Sequence, residues 1–251
     1  MQPLVSVVTV CYNAADTIKD TIESVLSQTY SNIEYIIVDG ASTDNTMHIV
    51  SQYGNRIASV ISEPDGGIYD AMNKGLTVAT GDLVGILNSD DFYSNSEVVS
   101  QIAGVFAHTN SDIVYGNLVY VAKSNLSRIV RNYNSERFKA WMLRFGWMPP
   151  HPATFIKMAI YKKFGMYSTD YKTGADYEMF VRLLLVNNVS CTFIKMTIVT
   201  MRMGGVTSSG LSSYINTSKE MVRAIRGNGF YTNIFFILMR LPVKVFERKW
   251  I

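Results

Sequence analysis

Hydrophobic positions in the first half of the chain alternate between two periods. Leu4–Val10 is apolar and rich in β-branched residues, as a strand covered on both faces would be. Asp16–Ser27 then places Ile18, Ile22, Val25 and Leu26 at helical spacing. Ile33–Val38 reads as a second strand and ends in Asp39-Gly40. Ser42-Thr43-Asp44 offers N-caps for a helix over about Thr46–Tyr53. Ala58–Ser62 is a shorter third strand, and Gly66-Gly67 opens a loop into a helix over about Ile68–Ala79. Gly81 leads into Leu83, Val84, Ile86 and Leu87, a buried-strand pattern closed by Asn88-Ser89-Asp90-Asp91. Repeated βα units of this kind predict an α/β fold with a mainly parallel central sheet and helices on both faces.

The second half is less regular. Ile113–Val121 has strand character, Ser124–Tyr133 is a polar, basic connection or hairpin, and Arg137–Phe145 fits a helix. Trp147-Met148-Pro149-Pro150-His151-Pro152 predicts a constrained loop, because three prolines in six residues do not fit a helix interior. Tyr177–Leu185 reads as a helix preceded by Gly174-Ala175-Asp176, and Cys191–Met201 as a strand. A loose Met203–Gly210 follows.

In parallel α/β sheets, ligands bind beyond the carboxyl ends of the strands. Tyr12-Asn13, Asp39 and Asp90-Asp91 all fall at such ends. Taken alone, Asn88–Asp91 fits either a polar turn or a site where two adjacent carboxylates share a hard divalent cation with a diphosphate. Asp176 before a helix is, by itself, more often an N-cap than a base.

Composition narrows the classes. Hydrophobic residues make up 48% and charged residues 17% of 251 positions, enough for a sizeable core with no sign of disorder. Cys11 and Cys191 are far apart and form no CxxC pair, which reads as two reduced thiols and not as a zinc site. The start, MQPLVSVVTV, lacks a basic n-region, and no run reaches the roughly 18 apolar residues of a spanning helix. The net charge of +3 is carried entirely by Arg240, Lys244, Arg248 and Lys249 against Glu247. The remaining 19 basic and 19 acidic residues cancel, which argues against a nucleic-acid-binding surface.

SVVTVCYN (Ser6–Asn13), VDGASTDNT (Val38–Thr46), GIYDAMNKGL (Gly67–Leu76), GDLVGILNSDDF (Gly81–Phe92) and GADYEMFVRL (Gly174–Leu183), in this order, resemble the inverting GT-A glycosyltransferases known as family 2. EPDGGIYDAMNKG and MGGVTSS are reminiscent of its bacterial O-antigen, capsule and colanic-acid enzymes. The resemblance implies a single GT-A domain over residues 1–215, with a nucleotide-sugar half over about 1–115 and an acceptor half over about 116–215.

It also implies roles. Thr9 and Tyr12 contact the nucleotide base, and Asp39 accepts a hydrogen bond from a uracil ring nitrogen. Asp65 and Lys74 contact ribose or diphosphate. Asp90 and Asp91 match the DXD-type metal element, with Asp91 ahead of Asp90 as the direct ligand of Mn²⁺ or Mg²⁺ and Ser89 in place of the first acid. Asp176 is the catalytic base, with Ala175 where the family usually has a second acid. From the residues themselves, His151 in its rigid loop is either a metal or diphosphate ligand or a satisfied histidine that packs or binds acceptor. Trp147 fits an acceptor-sugar platform or core, and Gly204-Gly205 a lid hinge or a plain surface loop. The expected activity transfers galactose, glucose or an N-acetylhexosamine from a UDP-sugar to a sugar on undecaprenyl diphosphate, with GlcNAc as the first acceptor sugar. A nucleotidyltransferase or a non-catalytic nucleotide-sugar-binding module are the alternatives.

Residues 216–251 form a basic, aromatic tail. Arg240, Lys244 and Arg248 share one face if helical, next to Ile234–Met239. That pattern fits either an interfacial helix on anionic lipid or a helix packed on the domain with a solvated basic face, with Pro242 as a break. The expected location is the cytoplasmic face of the inner membrane, peripherally bound.

Overall fold

The structure, a computed structural model, describes residues 2–204 and 211–240. Its frame is one nine-stranded sheet containing β1 (Val5–Cys11), β2 (Ile33–Asp39), β3 (Ser59–Ser62), β4 (Leu83–Asn88), β5 (Asp91–Tyr93), β6 (Ile113–Ala122), β7 (Asn125–Tyr133), β8 (Thr154–Lys157) and β9 (Cys191–Arg202). The order is β3-β2-β1-β4-β8-β6-β9-β5, with β7 paired to β6. The first four strands in this order are mutually parallel, in keeping with the apolar runs of β1, β2 and β4. β8 joins β4 and β6 antiparallel, and β5 pairs antiparallel with β9, so the second half turns the sheet into a mixed one.

Strand alternation sorts the core into two layers. Val8, Val10, Ile36, Val38, Val84 and Ile86 face α3 (Ile68–Val78) and, further along the sheet, α6 (Ala175–Phe180) and α7 (Leu211–Gly227). Val5, Val7, Tyr35, Ile37, Leu83 and Leu87 face α1 (Ile18–Leu26), α2 (Thr46–Ser51) and α4 (Val98–His108). Gly75 lets α3 lie directly on β1, since a Cβ there would stand 2.3 Å from Val8 Cγ1.

Four elements go beyond the sequence expectation: α4, β5, β8 and α5 (Met158–Phe164). β8 is four residues long, too short for a readable alternation, and its place is fixed by long-range pairing. Arg137–Phe145 is a 3₁₀ segment over Ala140–Phe145, and the proline-rich loop contains a single 3₁₀ turn over His151–Ala153. α6 continues into a π-helical turn over Val181–Val186, and α8 (Ile234–Leu238) closes the described chain. Gly205–Gly210, with the far side of the expected hinge, and Pro242, Lys244 and Arg248 of the expected basic face lie outside the described residues.

Candidate active site

Parallel register aligns the strand ends. Cys11 pairs with Asp39, and Val10 with Asn88, so β2, β1 and β4 finish side by side. Asp39 is fully buried there. Its Oδ2 accepts from Ser42 N at 3.0 Å and Ser62 Oγ at 2.7 Å. Its Oδ1 accepts from Ser42 Oγ at 2.5 Å and Cys11 Sγ at 3.6 Å. Burial, with the Asp39 charge beside it, pushes the Cys11 thiol up, so it remains a thiol. Behind Asp39 the chain is cramped: a Cβ on Gly40 would lie 2.6 Å from Asp65 Oδ2 and 3.4 Å from Tyr12 Cδ2. Tyr12, Gly40 and Asp65 therefore converge on one shelf, with the Tyr12 ring 64% exposed.

The two loops over this shelf are held in unusual backbone. Asn13 and Ala41 have φ of 48° and 60°, left-handed values that non-glycine residues rarely adopt. Asn13 N donates to Ser42 Oγ at 2.8 Å, and Thr43 N donates to Asn13 Oδ1 at 2.9 Å, which ties the loops together. Asp65 Oδ1 accepts from Gly67 N at 2.8 Å. Lys74 is committed elsewhere: its Nζ reaches Glu63 Oε1 and Pro64 O, each at 2.8 Å, and so clamps the Glu63–Asp65 segment to α3. Thr9 departs from expectation. It is 0% exposed and its Oγ1 accepts from the Tyr35 hydroxyl at 3.1 Å, so its side chain belongs to the core and not to a base contact.

At the end of β4 the carboxylates divide. Asp90 sits in the turn, partly exposed, whereas Asp91 opens β5 and is 0% exposed. Asp91 Oδ2 accepts from Asn88 Nδ2 at 3.1 Å, while Asp91 Oδ1 and Asn88 Oδ1 are buried without a hydrogen-bond partner. Desolvation, and then the charge of Asp90, pushes the Asp91 carboxyl well above the usual carboxylate range; burial raises Asp90 as well. Two partnerless buried oxygens next to a more open carboxylate are a donor set that a hard cation completes. Among the described residues no cluster of three or more His, Cys, Asp or Glu forms a closed cage. A cation that shares its coordination sphere with diphosphate oxygens needs only one or two protein carboxylates, so the residues fit the group. Of the two carboxylates, Asp90 is the more open and Asp91 the buried one.

Arg202, at the end of β9, was not anticipated as part of this site. It is 7% exposed, donates from Nη1 to Asp90 O at 2.7 Å, pairs with Asp20 of α1, and stacks over Phe92. Its signal was available: a strand ending in arginine is what two adjacent carboxylates call for. Thr21 donates to Ser89 O at 2.9 Å and Asp91 O at 2.7 Å, fixing the same turn from α1.

The third carboxylate, Asp176, is not an N-cap. Gly174 occupies that position, and Asp176 is the second residue of α6, half-buried. Its Oδ1 accepts from the Tyr69 hydroxyl at 3.1 Å and from Tyr177 N at 2.8 Å. Two donors on one oxygen orient the carboxylate and leave Oδ2 as the atom able to take a proton. Tyr69 comes from the first turn of α3, directly after the Asp65-Gly66-Gly67 loop, so one side chain connects the shelf to the carboxylate. Its ring stacks on Tyr167 with centroids 5.9 Å apart. Tyr69 lies within the motif GIYDAMNKGL, yet nothing in its spacing announces this contact across 107 positions.

For His151 the structure favours the packing alternative. It is 7% exposed, its Nε2 lies 2.7 Å from the Tyr167 hydroxyl, and that hydroxyl lies 3.1 Å from the Tyr161 hydroxyl. Burial holds its pKa below the ordinary histidine value, partly offset by Asp176. It packs as a buried core residue among Tyr167, Tyr161 and Phe180. Trp147 is half-buried beside it in sequence and keeps part of its surface open. Gly204 has a left-handed φ of 106° just after Arg202.

Known proteins share this architecture. Staphylococcus aureus TarS, in a 1–349 form bound to UDP-GlcNAc, matches with a TM-score of 0.69 at 18% identity over 91% of this chain and 68% of that one. This chain spans 40% of a longer TarS structure. A mannosyltransferase of Pyrobaculum calidifontis, PcManGT, in complex with GDP-Man and Mn²⁺, matches with a TM-score of 0.67 at 18% identity over 95% and 69% of the two chains. An uncharacterized glycosyltransferase of Mycobacterium tuberculosis is 33% identical over 187 residues, 73% of this chain and 70% of its own. A PGL/p-HBAD biosynthesis glycosyltransferase of Mycobacterium bovis is 26% identical over 99% and 94% of the two chains. The family model for glycosyl transferase family 2 matches residues 6–172. With strand-end carboxylates on a GT-A sheet and two thirds of its length inside that family model, the chain belongs to glycosyltransferase family 2 and is a glycosyltransferase.

Proposed function

We propose that the protein transfers a hexose or N-acetylhexosamine, with inversion, from a UDP-sugar to a sugar carried on undecaprenyl diphosphate, GlcNAc being the first candidate. The product would be a bacterial surface-polysaccharide repeat unit. The observation that carries the reading is Asp176: one oxygen is pinned by Tyr69 and Tyr177 N, and the other is free. Residues 1–115 act as the donor half, 116–215 as the acceptor half, and 216–251 as the segment that meets the membrane. The described residues include no helix long and apolar enough to cross a membrane, which is compatible with a peripheral location on the cytoplasmic face.

In this mechanism the Tyr12 ring lies on the uracil and Asp65 contacts the ribose. Asp39 is saturated by four donors, so a uracil ring N–H reaches it by replacing the Ser42 hydroxyl. Asp90, backed by Asp91, would hold a divalent ion, Mn²⁺ or Mg²⁺, which would supply neutralising charge for the departing diphosphate. Asp176 Oδ2 takes the proton of the acceptor hydroxyl as its oxygen attacks the anomeric carbon from the face opposite UDP. One displacement of this kind inverts the anomeric configuration. Trp147 offers a face for the acceptor sugar, and Lys74 keeps the Asp65 loop in place without touching the diphosphate.

The named complexes of structural relatives, UDP-GlcNAc for TarS and GDP-Man with Mn²⁺ for PcManGT, support a nucleotide-sugar donor. A screen of UDP-galactose, UDP-glucose and UDP-N-acetylhexosamines against a synthetic diphosphate-lipid acceptor, with the linkage read by NMR, tests the proposal. A retained anomeric configuration, or no transfer from any UDP-sugar, would reject it.

A further inference from the structure

Far from the carboxylates in sequence, two short segments build an aromatic platform. The Trp141 and Phe145 rings meet edge-on at 5.8 Å, Phe145 stacks on Phe236 at 5.0 Å, and Phe236 meets Tyr231 edge-on at 6.1 Å. Hydrogen bonds fasten the segments: Arg144 Nε donates to Tyr231 O at 3.1 Å, and Thr232 Oγ1 donates to Arg144 O at 2.7 Å. α8 is set by its Asn233 cap, whose Oδ1 accepts from Phe236 N at 3.0 Å, and by Ile237, which is fully buried. Its opposite side is left open. Phe235 is 77% exposed and Met239, four residues on, 59%; Tyr231 is 63% and Trp141 59% exposed. Four large apolar side chains this bare, on elements tied together, are unlike the scattered apolar exposure of an ordinary surface.

The segments that carry them are basic, with Glu136 and Glu220 at their edges. Residues 137–147 and 221–240 contain Arg137, Lys139, Arg144, Arg223, Arg226 and Arg240, and no acid. Arg240 is not available, because it is 7% exposed and its guanidinium is spent on Tyr214, Ser218 and Met221. Arg240 therefore contributes no exposed charge to the expected basic face, whose Lys244 and Arg248 lie outside the described residues. Arg137, Lys139 and Arg226 are exposed and Arg144 half-exposed.

We propose that this platform is the surface on which the protein sits on an anionic lipid bilayer. Trp141, Tyr231, Phe235 and Met239 enter the headgroup boundary, while Arg137, Lys139 and Arg144 meet lipid phosphates. Amphipathic rings with an excess of cations suit a headgroup layer better than a protein interface, where aromatic anchors sit in a pocket ringed by mixed polar groups. The proposal rests on the peripheral-membrane reading above and is independent of the transfer chemistry.

The test is co-sedimentation of the full chain with phosphatidylcholine vesicles, with and without roughly one-third phosphatidylglycerol. Binding to the anionic vesicles alone, weakened by salt, is the expected result. Trp141→Ser with Phe235→Ser, and separately Arg137→Glu with Lys139→Glu, should each lower the partition coefficient about tenfold or more. UDP affinity and melting temperature should stay as in the wild type, since both pairs are exposed. Equal binding by either double variant, equal binding to neutral vesicles, or no vesicle binding would overturn the assignment. So would a dimer that the Trp141/Phe235 variant dissociates while vesicle binding persists, because the platform would then be a contact between copies. Failure of the donor proposal would leave vesicle binding unchanged, so the two failures are distinguishable.

Discussion

The proposed donor and acceptor halves hold their carboxylates by different physical means. On the donor side, Asp39 at the end of β2 and Asp91 at the start of β5 are both 0% exposed, yet Asp39 accepts from four donors and Asp91 Oδ2 from one, with Oδ1 partnerless. On the acceptor side, Asp176 is oriented by an aromatic hydroxyl that is itself held by ring stacking. A saturated buried carboxylate is structural support that a ligand can borrow. An unsaturated one stores a desolvation cost that a cation removes, and a half-saturated one keeps a lone pair for a proton.

The contrast can be broken by substitution, beginning with the largest effect. Asp176→Asn keeps shape and hydrogen bonds but removes the proton acceptor. The rate should fall about a thousandfold, the scale of a general base, while UDP affinity measured by calorimetry holds. Asp39→Ala leaves Ser42 N–H and Ser62 Oγ–H inside the fold without acceptors, at a cost of about 3 kcal/mol. For a chain of this size that lowers the melting temperature by on the order of 10 °C in a thermal scan. Asp91→Asn should do the opposite: the cation-free protein gains a few degrees as a buried charge disappears, and stabilisation by Mn²⁺ with UDP shrinks. A loss of stability in Asp91→Asn would erase the distinction between the two donor-side acids.

Smaller effects sharpen the acceptor side. Tyr69→Phe removes one donor from Asp176 Oδ1, and kcat should drop about tenfold with the donor KM unchanged, consistent with a positioning role. A proportional rise in KM would place Tyr69 on the donor instead. The smallest effect is on stability against pH. His151 has a depressed pKa because it is buried, so the unfolded chain binds its proton at a higher pH than the folded one. Its contribution is complete above the ordinary histidine value of about 6.5 and is lost as pH falls through and below it, at up to about 1.4 kcal/mol per pH unit. Melting temperatures between about pH 7.5 and 5.5 should therefore fall less steeply in His151→Gln than in the wild type.

What could be read from the sequence follows the same division. Strands β1, β2 and β4 are buried on both faces, so their apolar runs, and the polar residues that end them, stand out in the chain. Convergence of Tyr12, Asp39 and the Asn88–Asp91 turn follows from parallel strands ending together. Side-chain depth was not readable: Thr9 and Asp91 turned inward, and only the β5–β9 pairing, remote in sequence, seals Asp91. The acceptor side depends on contacts such as Tyr69 with Asp176 and His151 with Tyr167, which no local period encodes. A histidine between prolines looks like a mounted ligand until the aromatic cluster around it is known. The aromatic platform was similarly hidden, because the exposure of Phe235 and the burial of Arg240 depend on how α8 meets Ala140–Phe145 and α7.

The central claim is that Asp176 removes the acceptor proton while the Asn88–Asp91 turn supports a metal-bound UDP. UDP release from a UDP-sugar in the presence of the lipid-diphosphate acceptor tests it most directly, comparing Mn²⁺ with EDTA in the wild type and in Asp176→Asn. The account predicts acceptor-dependent release that EDTA abolishes and Asp176→Asn nearly abolishes while UDP still binds. Full release by Asp176→Asn, or release indifferent to EDTA, would contradict it.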